Sequence, residues 1–273
     1  MVLESVLVQR YRRVMRLFIY TETALEANCY IWENTETKQA MVVDPGAGSA
    51  GWVEEKLAQE GLELAGVLLT HGHPDHVWDA AKVAGDKPVF ISKSDLYRLD
   101  DPQAHVPTTL HNLVNRYGEW VKPASIEIIP ELCLQGSGAQ ILPGFPVRAI
   151  MVPGHTEGSV GYLTAGILED GESAITISQD GCGGGCDGCD CGGGSSEPEP
   201  TAILFLGDVI LGESIGRTDL PGGDDAEMKS TLRMVTVSIN PDTVLCTGHG
   251  QLSTLGYQLQ ANKYLRNAAM ASA

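Results

Sequence analysis

"LAGVLLTHGHPDH", Leu64 to His76, decides how this chain is read: a short apolar strand runs straight into a loop that packs three histidines and an aspartate into its last six residues. The whole chain of 273 residues has only seven histidines, so three in one loop ask for a chemical reason. In an extended segment residues two apart point the same way, so His71 and His73 can converge on one ion, while Asp75 and His76 turn with the chain toward a neighbouring point. One loop thereby offers ligands to two adjacent metals. Three further donors follow, each just after an apolar strand: His155 in "VPGHTEGS", Asp208 in "LFLGDVI" and His249 in "CTGHG". Glycines beside them (Gly72, Gly154, Gly207, Gly248, Gly250) permit tight turns that aim the side chains at a shared cleft. Any one of these histidines alone would be an ordinary loop residue, as we read His105 and His111. Four motifs in this order, each at a strand end, supply the expected ligands of a dinuclear site.

Outward from the loop, the pattern is strands mixed with helices. "CYIWE" and "QAMVVDPG" predict two strands joined by a turn at "NTETK", and "GWVEEKLAQEGL" spaces Trp52, Val53, Leu57 and Leu62 at helical intervals before stopping near a glycine. "PVFIS" predicts another strand, and residues 94 to 130, with "TTLHNLVNRYGEWV", a helical excursion over one face. "FPVRAIMVPGH", "SVGYLTAG", "AITIS" and "TAILFLGDVIL" read as further strands, and "GYQLQANKYLRNAAMASA" as a helical tail. Between the last two strands lies a Gly- and Cys-rich stretch at about 180–200, read as a long flexible insert in a hairpin turn. We expect a single domain over residues 1–273.

Composition is that of a globular chain, and the formal charge of -17 disfavours any polyanion, so nucleic acid is not an expected partner. The one basic run is "RYRR", Arg10 to Arg13. The N-terminus carries a glutamate in its first apolar run and reads as mature sequence, and no segment stays apolar for the roughly 20 residues of a membrane span. A cytoplasmic protein with no membrane partner follows. Of seven cysteines, Cys29, Cys133 and Cys246 sit singly in apolar surroundings, as reduced core residues do.

In these motifs the chain resembles the metallo-β-lactamase-fold hydrolases, and within them the glyoxalase II-like branch. The resemblance runs from about Asn28 to Thr254, through "THGHPDH", "PGHTEGS", "GDVILGESIGRTDLPGGD" and "GHG". It implies an α/β fold, a four-layered αββα sandwich with the metals at one edge. It places His71, His73 and His155 on one metal, Asp75, His76 and His249 on the other, and Asp208 between both. The ions are expected to be zinc, with iron or manganese as alternatives, since such sites accept whichever is available.

The same ligands weigh the branches. A flavodiiron-type redox site is expected to carry a glutamate where His73 stands, true β-lactamases of this fold lack the bridging aspartate, and nuclease relatives must bind a polyanion. Hydrolysis of a small thioester, S-lactoylglutathione or a related acyl-thiol, is left in front. Two adjacent divalent ions make a shared water acidic enough to ionise near neutrality and polarise the carbonyl it attacks. Asp75 and Asp208 are the expected catalytic residues, Asp75 also helping to orient the attacking group. A thiolate leaves readily because thiol pKa values lie at about 8.5, so no strong general acid is needed. In "SIGRTDLPGGD" we expect Arg217 and Asp219 to support the ligands from behind; a surface pair is the plainer alternative. Asp44 is open between such a supporting role and an ordinary turn.

Two departures qualify the likeness. Only 23 residues follow Gly250, too few for the helical C-terminal domain of full-length glyoxalase II enzymes. Cys182, Cys186, Cys189 and Cys191 form a C-x3-C-x2-C-x-C run that could enclose a soft ion or act in redox, against a plain thiol-rich turn. Two other readings follow: a mononuclear iron persulfide dioxygenase using only His71, His155 and Asp208, and a metal-buffering protein using the cysteine run.

Overall fold

A computed structural model describes residues 14–108, 113–168 and 200–270. The cysteine run from Cys182 to Cys191, the strand expected at "AITIS", His111 and the basic run Arg10 to Arg13 lie outside the described residues.

Strands β1 (Val14–Tyr20), β2 (Cys29–Asn34), β3 (Gln39–Val43), β4 (Glu63–Leu68), β5 (Val89–Ile91) and β6 (Ile126–Ile128) lie side by side in that order. β2 and β3 form the expected hairpin, with Tyr30 opposite Val43 and Asn34 opposite Gln39. After β7 (Ala139–Leu142), a second group follows: β8 (Phe145–Met151), β9 (Val160–Leu168) and β10 (Thr201–Gly207). A small ribbon, β11 (Ile210–Leu211) with β12 (Ser214–Ile215), leads on to β13 (Val244–Thr247) and β14 (Ser253–Thr254). β9 pairs antiparallel with both β8 and β10, and β10 pairs parallel with β13. The two groups are stitched at one corner, where Val14 and Met15 of β1 pair with Ile167 and Leu168 of β9.

Period-two alternation turns these strands into layers. Tyr30, Trp32, Met41 and Val43 face inward onto Val160, Tyr162, Ile203, Phe205, Val244 and Cys246 of the other sheet, with Trp32 set edge-on to Phe145 at 5.1 Å. Their neighbours Ile31, Ala40 and Val42 face outward, under helices α1 (Ala50–Glu60) and α2 (Ala80–Ala84). On the far side Leu204, Leu206 and Leu245 pack under α3 (Asp225–Ser238), α4 (Leu255–Ala261) and α5 (Lys263–Met270). Helix, sheet, sheet, helix is the expected αββα order. No described helix is long and apolar enough to cross a membrane.

Local chemistry sets the helix ends. α1 stops at Gly61, whose φ of 65° closes a left-handed cap, and its first turn is capped from a distance by Asp79, which accepts from Gly48 and Ala50 N–H. α3 starts at Asp224, whose carboxylate accepts from Ala226 and Glu227 N–H at 2.7 and 2.8 Å. The region expected to be a helical excursion differs: the described residues give two 3-10 turns, a single helix turn at Leu113–Tyr117, and then β6 as a parallel strand beside β5. Pro123 and Pro130 bracket "SIEII" and leave only an extended segment between them.

Candidate metal centre

The C-terminal ends of β3, β4, β8, β10 and β13 open on the same edge of the sandwich, and the loops leaving them carry the donors. A hydrogen bond from Val160 N–H to the Thr70 carbonyl, 2.9 Å, ties the two sheets together there. The structure brings all seven expected donors to this edge. His71, His73 and His155 form one group and Asp75, His76 and His249 another, the ligand atoms of each group lying within 4.8 Å of one another. Asp208 stands between them: its Oδ1 is 3.4 Å from His76 Nε2, and its Oδ2 is 3.5 Å from the Nε2 of both His155 and His249.

Four of the five imidazoles are anchored on the ring nitrogen turned away from the cluster. Thr70 Oγ1 meets His71 Nδ1 at 3.0 Å, Asp44 Oδ2 meets His76 Nδ1 at 3.2 Å, the Arg217 carbonyl meets His155 Nδ1 at 2.8 Å and the Leu25 carbonyl meets His249 Nδ1 at 3.0 Å. Such contacts fix tautomer and ring plane and leave the opposite nitrogen turned toward the cluster. His73 differs, directing Nδ1 to within 2.8 Å of His155 Nε2. His71 Nε2 and Asp208 Oδ1 are buried without a hydrogen-bond partner, which is costly unless a cation satisfies them. The donors therefore fit two ions, one in each group, with Asp208 facing both.

The two groups differ electrically. Burial, reinforced by neighbouring imidazoles, pushes His71 well below the usual histidine range and His73 down to about 3, so both are neutral. Burial also opposes charge on His76, yet the carboxylates of Asp208 and Asp75 outweigh it and hold its pKa well above the usual value. His249 is raised to about 9 against the same burial, by hydrogen bonds with Asp208 and Asp75. Asp208, although buried, is held well below the carboxylate range by the charge on His76 and by its contact with His249.

Glycine is required where the loops close. A Cβ on Gly248 would sit 1.9 Å from Asp208 Oδ1. Gly207, with φ of 54°, turns the chain out of β10 and would press a Cβ to 2.5 Å from Thr70 Oγ1.

Two buried carboxylates support the loops. Asp44 accepts from Thr70 N–H at 2.8 Å and Thr70 Oγ1 at 2.6 Å besides meeting His76, so one side chain steadies a histidine of each group. Asp95, fully buried, accepts from Gly72 N–H, Thr156 Oγ1 and Gly158 N–H at 2.8 to 2.9 Å, clamping the His71 loop to the His155 loop. Arg98 closes the clamp from behind through Asp95, Glu157 and the Pro221 carbonyl. Nothing in "SKSDL" marked Asp95 in advance, because its partners lie 23 and 61 to 63 residues away. Asp44 was half visible as the aspartate ending a strand.

The expectation for Arg217 and Asp219 needs correction. Their side chains pair with each other at the surface, 52% and 69% exposed, with two contacts of 2.7 Å. What supports His155 is the Arg217 backbone carbonyl, which any residue type would supply. The cleft above the donors has a volume of about 400 Å3, and its rim is formed by Leu25, Val106, Leu211, Ile215, Leu220 and Arg217.

An αββα sandwich with a three-histidine group and an Asp/His/His group side by side at the strand ends defines a class of metal-dependent hydrolases. Residues 23–168 match the model of the metallo-beta-lactamase superfamily, and the chain belongs to that superfamily. It is 27% identical over 255 residues to hydroxyacylglutathione hydrolase GloC of Haemophilus influenzae, spanning 93% of this chain and 99% of that protein. An uncharacterized protein of Mycobacterium tuberculosis is 30% identical over 245 residues, 88% of this chain and 93% of its own. Among solved structures, TTHA1623 in a di-iron-bound form superposes with a TM-score of 0.62 at 25% identity, covering 90% of this chain and 99% of that one. The BLEG-1 B3 metallo-beta-lactamase gives 0.64 at 24% identity over 91% and 99%, a likeness that shows the fold alone.

Proposed function

We propose that this metallo-hydrolase cleaves small-molecule thioesters, and that two divalent ions serve it, one at His71, His73 and His155 and one at Asp75, His76 and His249. The observation that carries the reading is the placement of Asp208, whose carboxylate lies within 3.5 Å of a histidine of each group. The likeness to GloC makes S-lactoylglutathione the first substrate to test. The di-iron form of TTHA1623 supports the two-ion count and keeps iron beside zinc and manganese as candidate metals.

Bound ions supply a water acidic enough to ionise near neutrality and a Lewis acid for the carbonyl. The chain's own part is placement. Asp75 Oδ2, 3.4 Å from His249 Nε2, borders the cleft and accepts a hydrogen bond that aims the attacking water at the acyl carbon. The new C–O bond forms as the C–S bond breaks, the thiol leaves as thiolate, and the proton released by water passes through Asp75 to solvent. Because a thiol ionises near pH 8.5, departure needs no buried acid.

A mononuclear persulfide dioxygenase would leave Asp75, His76 and His249 idle, although all three are gathered within ligand distance. Loaded protein is assayed for loss of the thioester of S-lactoylglutathione beside Asp208→Ala. Hydrolysis that drops by about a thousandfold or more in the variant supports the proposal; hydrolysis that survives in Asp208→Ala, or is absent from fully loaded wild type on every thioester tried, overturns it.

A further inference from the structure

The connection from β1 to β2 is strained at the point where it meets the cleft. Leu25 (φ 58°, ψ 18°) and Glu26 (φ 58°) are consecutive left-handed residues, and neither is glycine. A side chain makes that conformation costly, so it persists only where the surroundings impose it, and such places cluster at functional sites. Here the restraints are visible. Ala24 N–H donates to the Ala47 carbonyl at 2.8 Å, Asn28 N–H donates to the Gly248 carbonyl at 2.7 Å, and Ala27 bridges to His249. The Leu25 carbonyl is spent on His249 Nδ1, while its side chain stands 54% exposed at the cleft.

An exposed leucine alone means little. This one shares the cleft rim with Val106, Leu211, Ile215 and Leu220, so five aliphatic side chains border the floor formed by His73, Asp75, His155, Asp208 and His249. A carbonyl placed over Asp208 puts the first carbons of its acyl chain against that rim. Arg217, which also borders the cleft, has its guanidinium paired with Asp219, so the hydroxyl of a 2-hydroxyacyl group would meet a rim that is mainly aliphatic and would lose hydration with little return. An unbranched alkyl chain has no such loss and gains burial with each methylene.

We propose that Leu25 heads an acyl-chain subsite, and that the preferred substrates are thioesters of unbranched aliphatic acids several carbons long. The inference rests on the thioesterase reading and deepens it. S-lactoylglutathione is then a slow member of the substrate class.

The test holds the thiol constant and compares acetyl-, butyryl-, hexanoyl- and lactoyl-glutathione on the metal-loaded full chain. Complete burial of a methylene corresponds to about fourfold in kcat/KM, and a half-open cleft to about twofold, so hexanoyl should exceed acetyl by roughly 15-fold. In Leu25→Ser that ratio falls below about fivefold, in Leu25→Met it is restored, and in Val237→Ser, an exposed apolar residue outside the cleft, it matches wild type. A flat or inverted chain-length series in wild type, with thioesters still cleaved, overturns the subsite and leaves the thioesterase standing. So does a series unchanged in Leu25→Ser. No cleavage of any of the four thioesters overturns both.

Discussion

The two halves of the candidate metal centre, one of three histidines and one of two histidines with an aspartate, are built to opposite electrical ends. His71, His73 and His155 are buried imidazoles packed 4.6 to 4.9 Å apart centre to centre, and His71 and His73 are forced neutral by burial and by neighbouring imidazoles. His76 and His249 face Asp75 and Asp208, which draw protons onto them, and His249 reaches the cleft. Neutral His71 and His73 are ready for a cation, whereas His76 and His249 must surrender protons first. Neighbouring charge, rather than the count of histidines, sets how each half binds.

Asp208 is the joint between the halves, and its loss is the most damaging change: beyond the drop in hydrolysis, Asp208→Ala should no longer hold two ions under dialysis that leaves wild type fully loaded. Next in size are the histidines themselves. His249→Ala should retain one ion per chain by elemental analysis, because the buried half is untouched; His71→Ala should weaken the buried half, since its bare Nε2 is lost.

The supporting carboxylate comes third. Asp95 uses both oxygens on N–H donors, Gly72 on one and Gly158 on the other, so an amide would set a donor against a donor. Asp95→Asn should therefore lower metal affinity by about 10-fold to 100-fold in competition with a chelator. A cost confined to thermal stability, with metal affinity intact, would show that the clamp serves folding alone.

The electrical contrast predicts a pH effect with a definite sign. His249 titrates at about 9 in the metal-free protein, so raising the pH from 7 to 9 removes a competing proton and tightens the second ion. The first ion's affinity should respond less over that range because His71 and His73 are already neutral. Calorimetric titration in buffers of differing ionisation enthalpy reads the protons directly: release should be larger for the second equivalent than for the first. The smallest effect belongs to Arg217→Ala. An exposed ion pair contributes little to stability, so the melting temperature should be unchanged and hydrolysis should stay within about twofold of wild type.

How much of this was legible in the sequence follows from where each residue's partners lie. The seven donors could be read because each motif is local: a strand, a glycine turn, a histidine or aspartate. The layers could be read because alternation in "CYIWE" and "TAILFLG" reports two buried faces. Asp95, Arg98 and Leu25 could not, since their meaning arises only when loops distant in sequence meet. Arg217 was read from its side chain when its backbone was what counted. The stretch after Ser94 was misjudged because its apolar residues suggested helix, while flanking prolines and the free edge of β5 favoured a short strand.

Counting metal ions per chain tests the central claim most directly. Protein purified without added metal, stripped and then titrated with zinc, iron or manganese, should take up two ions per chain, with hydrolysis of a thioester appearing as the second is bound. A single iron per chain, with oxygen consumed on glutathione persulfide and no thioester cleaved, would contradict the account.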